Sequence, residues 1–255
     1  MRKQLIAAFT IAFITTSTNA SLQTSSENDE LRETFFKRQV QQNASVGRAI
    51  RSIASHYPQE AASFVEIALT QYPEKHREII FSAISAQPAA TEDIVQAALD
   101  SGVSSCLDIV ELAIMAEPSY VDFVVDVAAE STPDELDEIV RVAVMSQPDS
   151  ADRIVQTLAK SHPNKLVNIL STAMNAVPLV GEYMVDALLA VFPNKAEEVV
   201  TTAVRESLIQ NSEIESIMSA AQNAGITNGE LRSYAMKGGA TETQISKALT
   251  TSIID

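Results

Sequence analysis

Nine prolines share one register along this 255-residue chain. Pro58, Pro73, Pro88, Pro118, Pro133, Pro148, Pro163, Pro178 and Pro193 follow one another at 15-residue intervals, with a single gap of 30. The skipped position is Val103, and residues 103–117 keep the rest of the pattern. Ten consecutive units of 15 residues therefore run from Pro58 to Ser207. The fixed φ of proline suits the first turn of a helix, where a missing N–H costs nothing, and the residue before it is pushed out of the α region. A chain punctuated in this way is a series of short elements of equal length.

With proline as position one, position seven holds Phe64, Ile79, Ile94, Ile109, Val124, Ile139, Ile154, Ile169, Met184 and Val199. Position eight is apolar from Val65 to Val200, and position twelve from Leu69 to Val204. Position eleven is alanine except at Leu158 and Leu188. Positions four, seven, eight, eleven and twelve make the stripe of an amphipathic helix. A strand would send positions seven and eight to opposite faces, so the β reading fails. Each unit is one helix of about 11 residues and a tight break. Acids at positions five and six, such as Glu92 and Asp93 or Glu197 and Glu198, lie near helix N-termini, where the macrodipole favours them. The recurrent alanine lets neighbouring helices approach closely.

Helices this short are marginal alone and must bury their stripes against one another. Short breaks make successive helices antiparallel, so the pattern predicts an all-α fold: an α-solenoid of ten core helices plus caps, about 12 to 14 helices in all. In helix length, period and apolar columns over residues 58–207 the chain resembles HEAT-like, short-repeat α-solenoids. That resemblance is one of architecture, and it implies scaffolding and protein binding.

The ends differ from the array. Arg2 and Lys3 precede an apolar run from Leu5 to Ile14, and Thr18-Asn19-Ala20 has the small residues of a cleavage site. About ten apolar residues fall short of the roughly 20 that span a bilayer, so residues 1–20 read as a signal peptide and the protein as exported, periplasmic or extracellular. Residues 21–42 form a polar N-terminal segment in which Glu30–Gln42 has helical character, with Leu31, Phe35 and Phe36 on one side. Asn43 opens a looser unit, with Val46, Ile50, Ile53 and Ala54 as its stripe, so the solenoid is placed at 43–207. Beyond it proline gives way to three capping-box patterns, Ser212 with Glu215, Thr227 with Glu230 and Thr241 with Gln244. Residues 208–255 read as a helical cap, with a small separate module as the alternative.

Composition narrows the function. There are 18 Lys+Arg against 33 Asp+Glu, and 16 bases remain once residues 1–20 are removed, which disfavours nucleic acid as a partner. No stretch after the leader is apolar enough to be an integral membrane span. Three histidines, His56, His76 and His162, one cysteine, Cys106, and seven glycines supply no metal cluster, phosphate loop or nucleophile elbow, so no cofactor is expected. The paired acids recur as a helix-start pattern, so no glycosidase-like pair stands out. Cys106 falls at position four of the buried stripe, which points to a packed thiol. An enzyme would need side chains that interrupt a column, and His76 with Cys106, two units apart, is the pair to inspect.

Large side chains off the core columns are the candidate partner-binding residues: Phe81 at position nine, Tyr120 at three, and Phe123 and Tyr183 at six. They serve either as anchors for a partner or as packing for an adjacent helix. The function expected is a non-enzymatic scaffold for a protein or peptide. The alternatives are self-association into a structural assembly, through stacking of ends that share one period, and a hydrolase in the solenoid groove.

Overall fold

A computed structural model of the chain describes residues 19–251, with side chains described from 28 to 250. The signal-peptide segment at its apolar run lies outside the described residues. Among those described there are fifteen α-helices and no strand. The ten array helices are α3 (Ala61–Gln71), α4 (His76–Ala86), α5 (Thr91–Ser101), α6 (Cys106–Ala116), α7 (Val121–Ser131), α8 (Leu136–Ser146), α9 (Ala151–Ser161), α10 (Leu166–Ala176), α11 (Gly181–Val191) and α12 (Ala196–Ile209). Before them come α1 (Asn19–Asn43) and α2 (Val46–His56), and after them α13 (Glu215–Asn223), α14 (Asn228–Gly238) and α15 (Glu242–Thr251).

Every proline opens a three-residue 3-10 turn, and the α-helix starts at position four. The residue before each proline leaves the helical region, as at Thr132, with φ −134° and ψ 66°, and its N–H still closes the preceding helix on the alanine at position eleven, Ala128. At the unit without proline another device replaces this one. Gly102 ends α5 in the left-handed region at φ 62°, and the Ser105 hydroxyl accepts the Asp108 N–H 3.2 Å away to begin α6.

From α2 onward each helix packs most extensively on a helix two places along the chain and less on its immediate neighbours. The even helices α2 to α14 therefore form one layer and the odd helices α3 to α15 the other, with the core between them. Position eight is fully buried in all ten units, and position seven in all but Phe64, at 6 % exposure. Within a layer, polar groups about 31 residues apart meet. The Gly47 N–H donates to Glu78 Oε1 at 3.0 Å, and Gln156 Nε2 donates to the Ala187 carbonyl at 3.1 Å. Glu206 is a buried carboxylate that accepts from Ser171 Oγ at 2.7 Å and Asn175 Nδ2 at 3.0 Å, which joins α10 to α12.

The ends show where sequence expectation and structure part. The segment before the array is one 25-residue helix that crosses both α2 and α3. It buries Phe36 and rests Phe35 on the core, while Leu31 points outward at 64 % exposure, so the helix count exceeds that expected. Thr227 with Glu230 and Thr241 with Gln244 form reciprocal capping boxes. Ser212 with Glu215 does not. Asn211 turns left-handed at φ 54°, the Ser212 N–H returns to the Ser207 carbonyl, and α13 begins only at Glu215, whose carboxylate pairs with Lys247 at 2.7 Å. The tail continues both layers, α14 against α12 and α13 against α11.

Candidate functional site

Three interruptions of the repeat, His76, Val103 and Cys106, come close together at the α4–α6 step, and their chemistry is shared out among other partners. His76 Nδ1 lies 3.1 Å from the Pro73 carbonyl, and Nε2 lies 3.3 Å from Asp108 Oδ2, so both ring nitrogens face oxygen acceptors. Arg77 pairs with the other Asp108 oxygen, and Ser104 Oγ donates to Oδ2 at 2.7 Å. The Ser104 hydroxyl above all, with Arg77 and His76 adding to it, holds the Asp108 carboxyl below the usual carboxylate range against the opposing effect of burial. This cluster fastens the proline-free start of α6 to α4.

Cys106 faces the other way. It is 8 % exposed, and its Sγ lies 3.1 Å from Thr132 Oγ1, which also reaches the Ala128 carbonyl. Burial pushes the thiol up; the Thr132 hydrogen bond offsets part of that rise, and the Glu135 carboxylate adds to it. His76 and Cys106 thus each engage a different partner, and burial works against a thiolate at Cys106. A thiol reagent applied to the native protein at neutral pH will label Cys106 at least about a hundredfold more slowly than the urea-unfolded chain, where the thiol returns to its ordinary range. Equal rates in the two states would show that the site opens freely.

His56 is exposed at the end of α2, and His162 is half-buried before Pro163. Among the described residues no three His, Cys, Asp or Glu side chains stand together as ligands for a metal ion. Among them, too, no single helix is long and apolar enough to cross a membrane. The one bent pair among them that passes on composition spans α10 and α11, whose buried Ile169, Leu170, Met174, Met184, Val185 and Leu188 belong to the core.

The four large side chains off the core columns divide between the layers. Phe81 is on α4 in the even layer, 37 % exposed. Tyr120 and Phe123 lie at the start of α7 in the odd layer with ring centroids 5.6 Å apart, Tyr120 half-buried and Phe123 48 % exposed. Tyr183, on α11 of the same layer, occupies the same repeat position as Phe123 and is 59 % exposed. Between them on α9 that position holds Arg153. Its guanidinium donates to Asp122 Oδ2 on α7 at 2.7 and 3.2 Å and to the Ser119 carbonyl at 3.1 Å. Phe123, Arg153 and Tyr183 therefore follow one another along three parallel helices as a partly exposed row. Exposed Met115 and Met145 at position thirteen of α6 and α8, with Ile209 on α12 and Met236 on α14, are further apolar features of the even layer beside Phe81. Sequence reasoning did not single out Arg153 and Asp122, although the period of two units, about 30 residues, was the signal that pairs them.

Among the described residues, several concave features lie toward the ends. One cavity of about 320 Å³ is lined by Arg32, Phe35, Tyr57, Glu60 and Phe64, with Arg32 and Glu60 paired at 2.7 Å. A second, of about 330 Å³, lies among α12, α13 and α15 around Lys247. A third, of about 290 Å³, opens between α11 and α13 and is lined by Glu182, Tyr183, Asp186, Ser216, Ser219, Ala220 and Asn223. No protein-family model, curated protein or solved structure matches this chain, so it is placed by its architecture alone, as an all-α helical-repeat solenoid with proline-punctuated units.

Proposed function

We propose that this is an exported, acidic, HEAT-like repeat protein that acts as a non-enzymatic scaffold and holds another protein or a peptide along its odd layer. The observation that carries the proposal is the row at position six, where Phe123 and Tyr183 flank Arg153 on three consecutive parallel helices, all partly exposed. Rings that sit at one register on a rigid surface supply large contact area at low entropic cost, and aromatic and arginine side chains dominate binding energy at interfaces. The repeat makes the surface long enough for an extended segment to cross several helices. Phe81, in the other layer, is assigned no part in this face. Stacking of molecules end to end is disfavoured by α1, which lies over α2 and α3, and by the capped helices α14 and α15.

The test is capture by immobilised residues 21–255 from periplasmic and secreted fractions, with Phe123→Ala/Tyr183→Ala alongside. Saturable retention of a defined protein that falls at least about tenfold in the double variant is expected. Retention that ignores both rings would remove this face from the function.

A further inference from the structure

We propose that the cleft between α11 and α13 binds an arginine side chain of a cationic peptide, with the acidic odd layer drawing that peptide in; this deepens the scaffold proposal and rests on it. The two layers differ in charge. The five odd units from Pro58 to Phe192 carry 12 acids and two bases, Arg153 and Lys160, whereas the five even units from Pro73 to Ser207 carry 12 acids and six bases. The field over the odd layer therefore favours a cation, and a cationic partner meets little repulsion there.

The repeat itself shows how this layer holds a guanidinium. At the α7–α9 step, position six of the later helix is Arg153, and it reaches back to the carboxylate at position five of the earlier one, Asp122, and to the Ser119 carbonyl, acceptors next in the chain to Phe123 and Tyr120. At the α11–α13 step the buried residues Ile214, Ile217, Met218 and Ala221 fix the register of α13 as positions four, seven, eight and eleven. Ser216 then stands where Arg153 stands, and Glu182 stands where Asp122 stands. A small hydroxyl replaces the long cation, and the result is the cleft of about 290 Å³ with Glu182 and Asp186 on one wall, Ser216, Ser219 and Asn223 on the other, and Tyr183 at its edge. Among the described residues no ion pair involves Glu182 or Asp186. Two carboxylates accept a planar guanidinium, and a tyrosine ring adds a cation–π face. A glutamate-bearing or neutral anchor gains nothing from that lining.

Fluorescence anisotropy of residues 21–255 with a labelled peptide of alternating arginine and leucine tests this. Saturable binding is expected, weakened at least about tenfold by Glu182→Gln/Asp186→Asn and less than about twofold by Asp134→Asn/Asp137→Asn, which removes the same charge from the even layer. Ser216→Arg provides an in-chain guanidinium opposite Glu182 and is expected to abolish binding while the circular dichroism and melting point stay those of the parent. Equal losses in the two double variants would mean diffuse acidity and overturn the cleft, as would unaltered binding by Ser216→Arg. If no cationic peptide binds while a saturable protein partner is still captured through Phe123 and Tyr183, the cleft is refuted and the scaffold stands.

Discussion

Ile139→Ala will destabilise the array by about 2–5 kcal/mol, the range for truncating a fully buried isoleucine whose surroundings cannot collapse into the space. Ile139 is wholly buried on α8, which packs on α6 and α10 in its own layer and on α7 and α9 across the core. In a repeat protein the stability is close to a sum of unit terms and nearest-neighbour interfaces, so a loss in the middle weakens the coupling between the halves as well as the total. Urea denaturation of the variant should show a lower midpoint and a broadened transition, with amides of α7 to α9 exchanging soonest. Met145→Ala, on the same helix but 60 % exposed, should stay within about 0.5 kcal/mol of the parent. A cost below about 1 kcal/mol for Ile139→Ala would mean that the buried columns do not hold the array together.

The second large effect concerns the tail. A Cβ on Gly238 would lie 2.9 Å from the Thr201 carbonyl oxygen and 2.9 Å from Val204 Cβ, and a backbone oxygen cannot swing aside. Gly238→Val is therefore expected to push α14 away from α12 at a cost of about 3 kcal/mol or more. The Thr201 hydroxyl contact to the Tyr234 carbonyl, at 3.3 Å, would go with it. Gly229→Ala on the same helix meets nothing within 4 Å and should leave stability unchanged or raise it by up to about 1 kcal/mol. Hydrogen exchange over residues 228–250 distinguishes the outcomes: protection lost in Gly238→Val alone places the tail in the cooperative unit of the array, and protection retained would make it a separate module.

The array was legible because its signals are local. Proline sets the break through the φ of one residue and the crowding of the residue before it, and the spacing of apolar residues within each unit selects the helix and its inward face. Even the proline-free unit kept its helix, because Gly102 and Ser105 perform the two jobs that proline otherwise does alone. The ends were less legible. Leu31 and Phe36 look alike in sequence, and only the angle at which α1 crosses α2 and α3 decides that one is buried and the other exposed. Ser212 has the spacing of a cap, but the left-handed Asn211 spends its N–H on the helix before it. The row Phe123, Arg153, Tyr183 was partly visible, since two of its members were singled out as large side chains off the core columns. The cleft was not, because it depends on the register of α13, which departs from the 15-residue count by three.

Alternation of the helices between two layers gives the chain a parity. Deleting or inserting one 15-residue unit would transfer every later helix to the opposite layer; between α7 and α11 that change would bring Tyr183 out on the far side from Phe123, while each helix kept its own buried stripe. Removing or adding two units would leave every later side chain on its original face and change only the reach of the surface. A lineage that lengthens or shortens such an array without scrambling its binding face must therefore do so in steps of 30 residues, and the binding surface, more than the core, is what enforces that step.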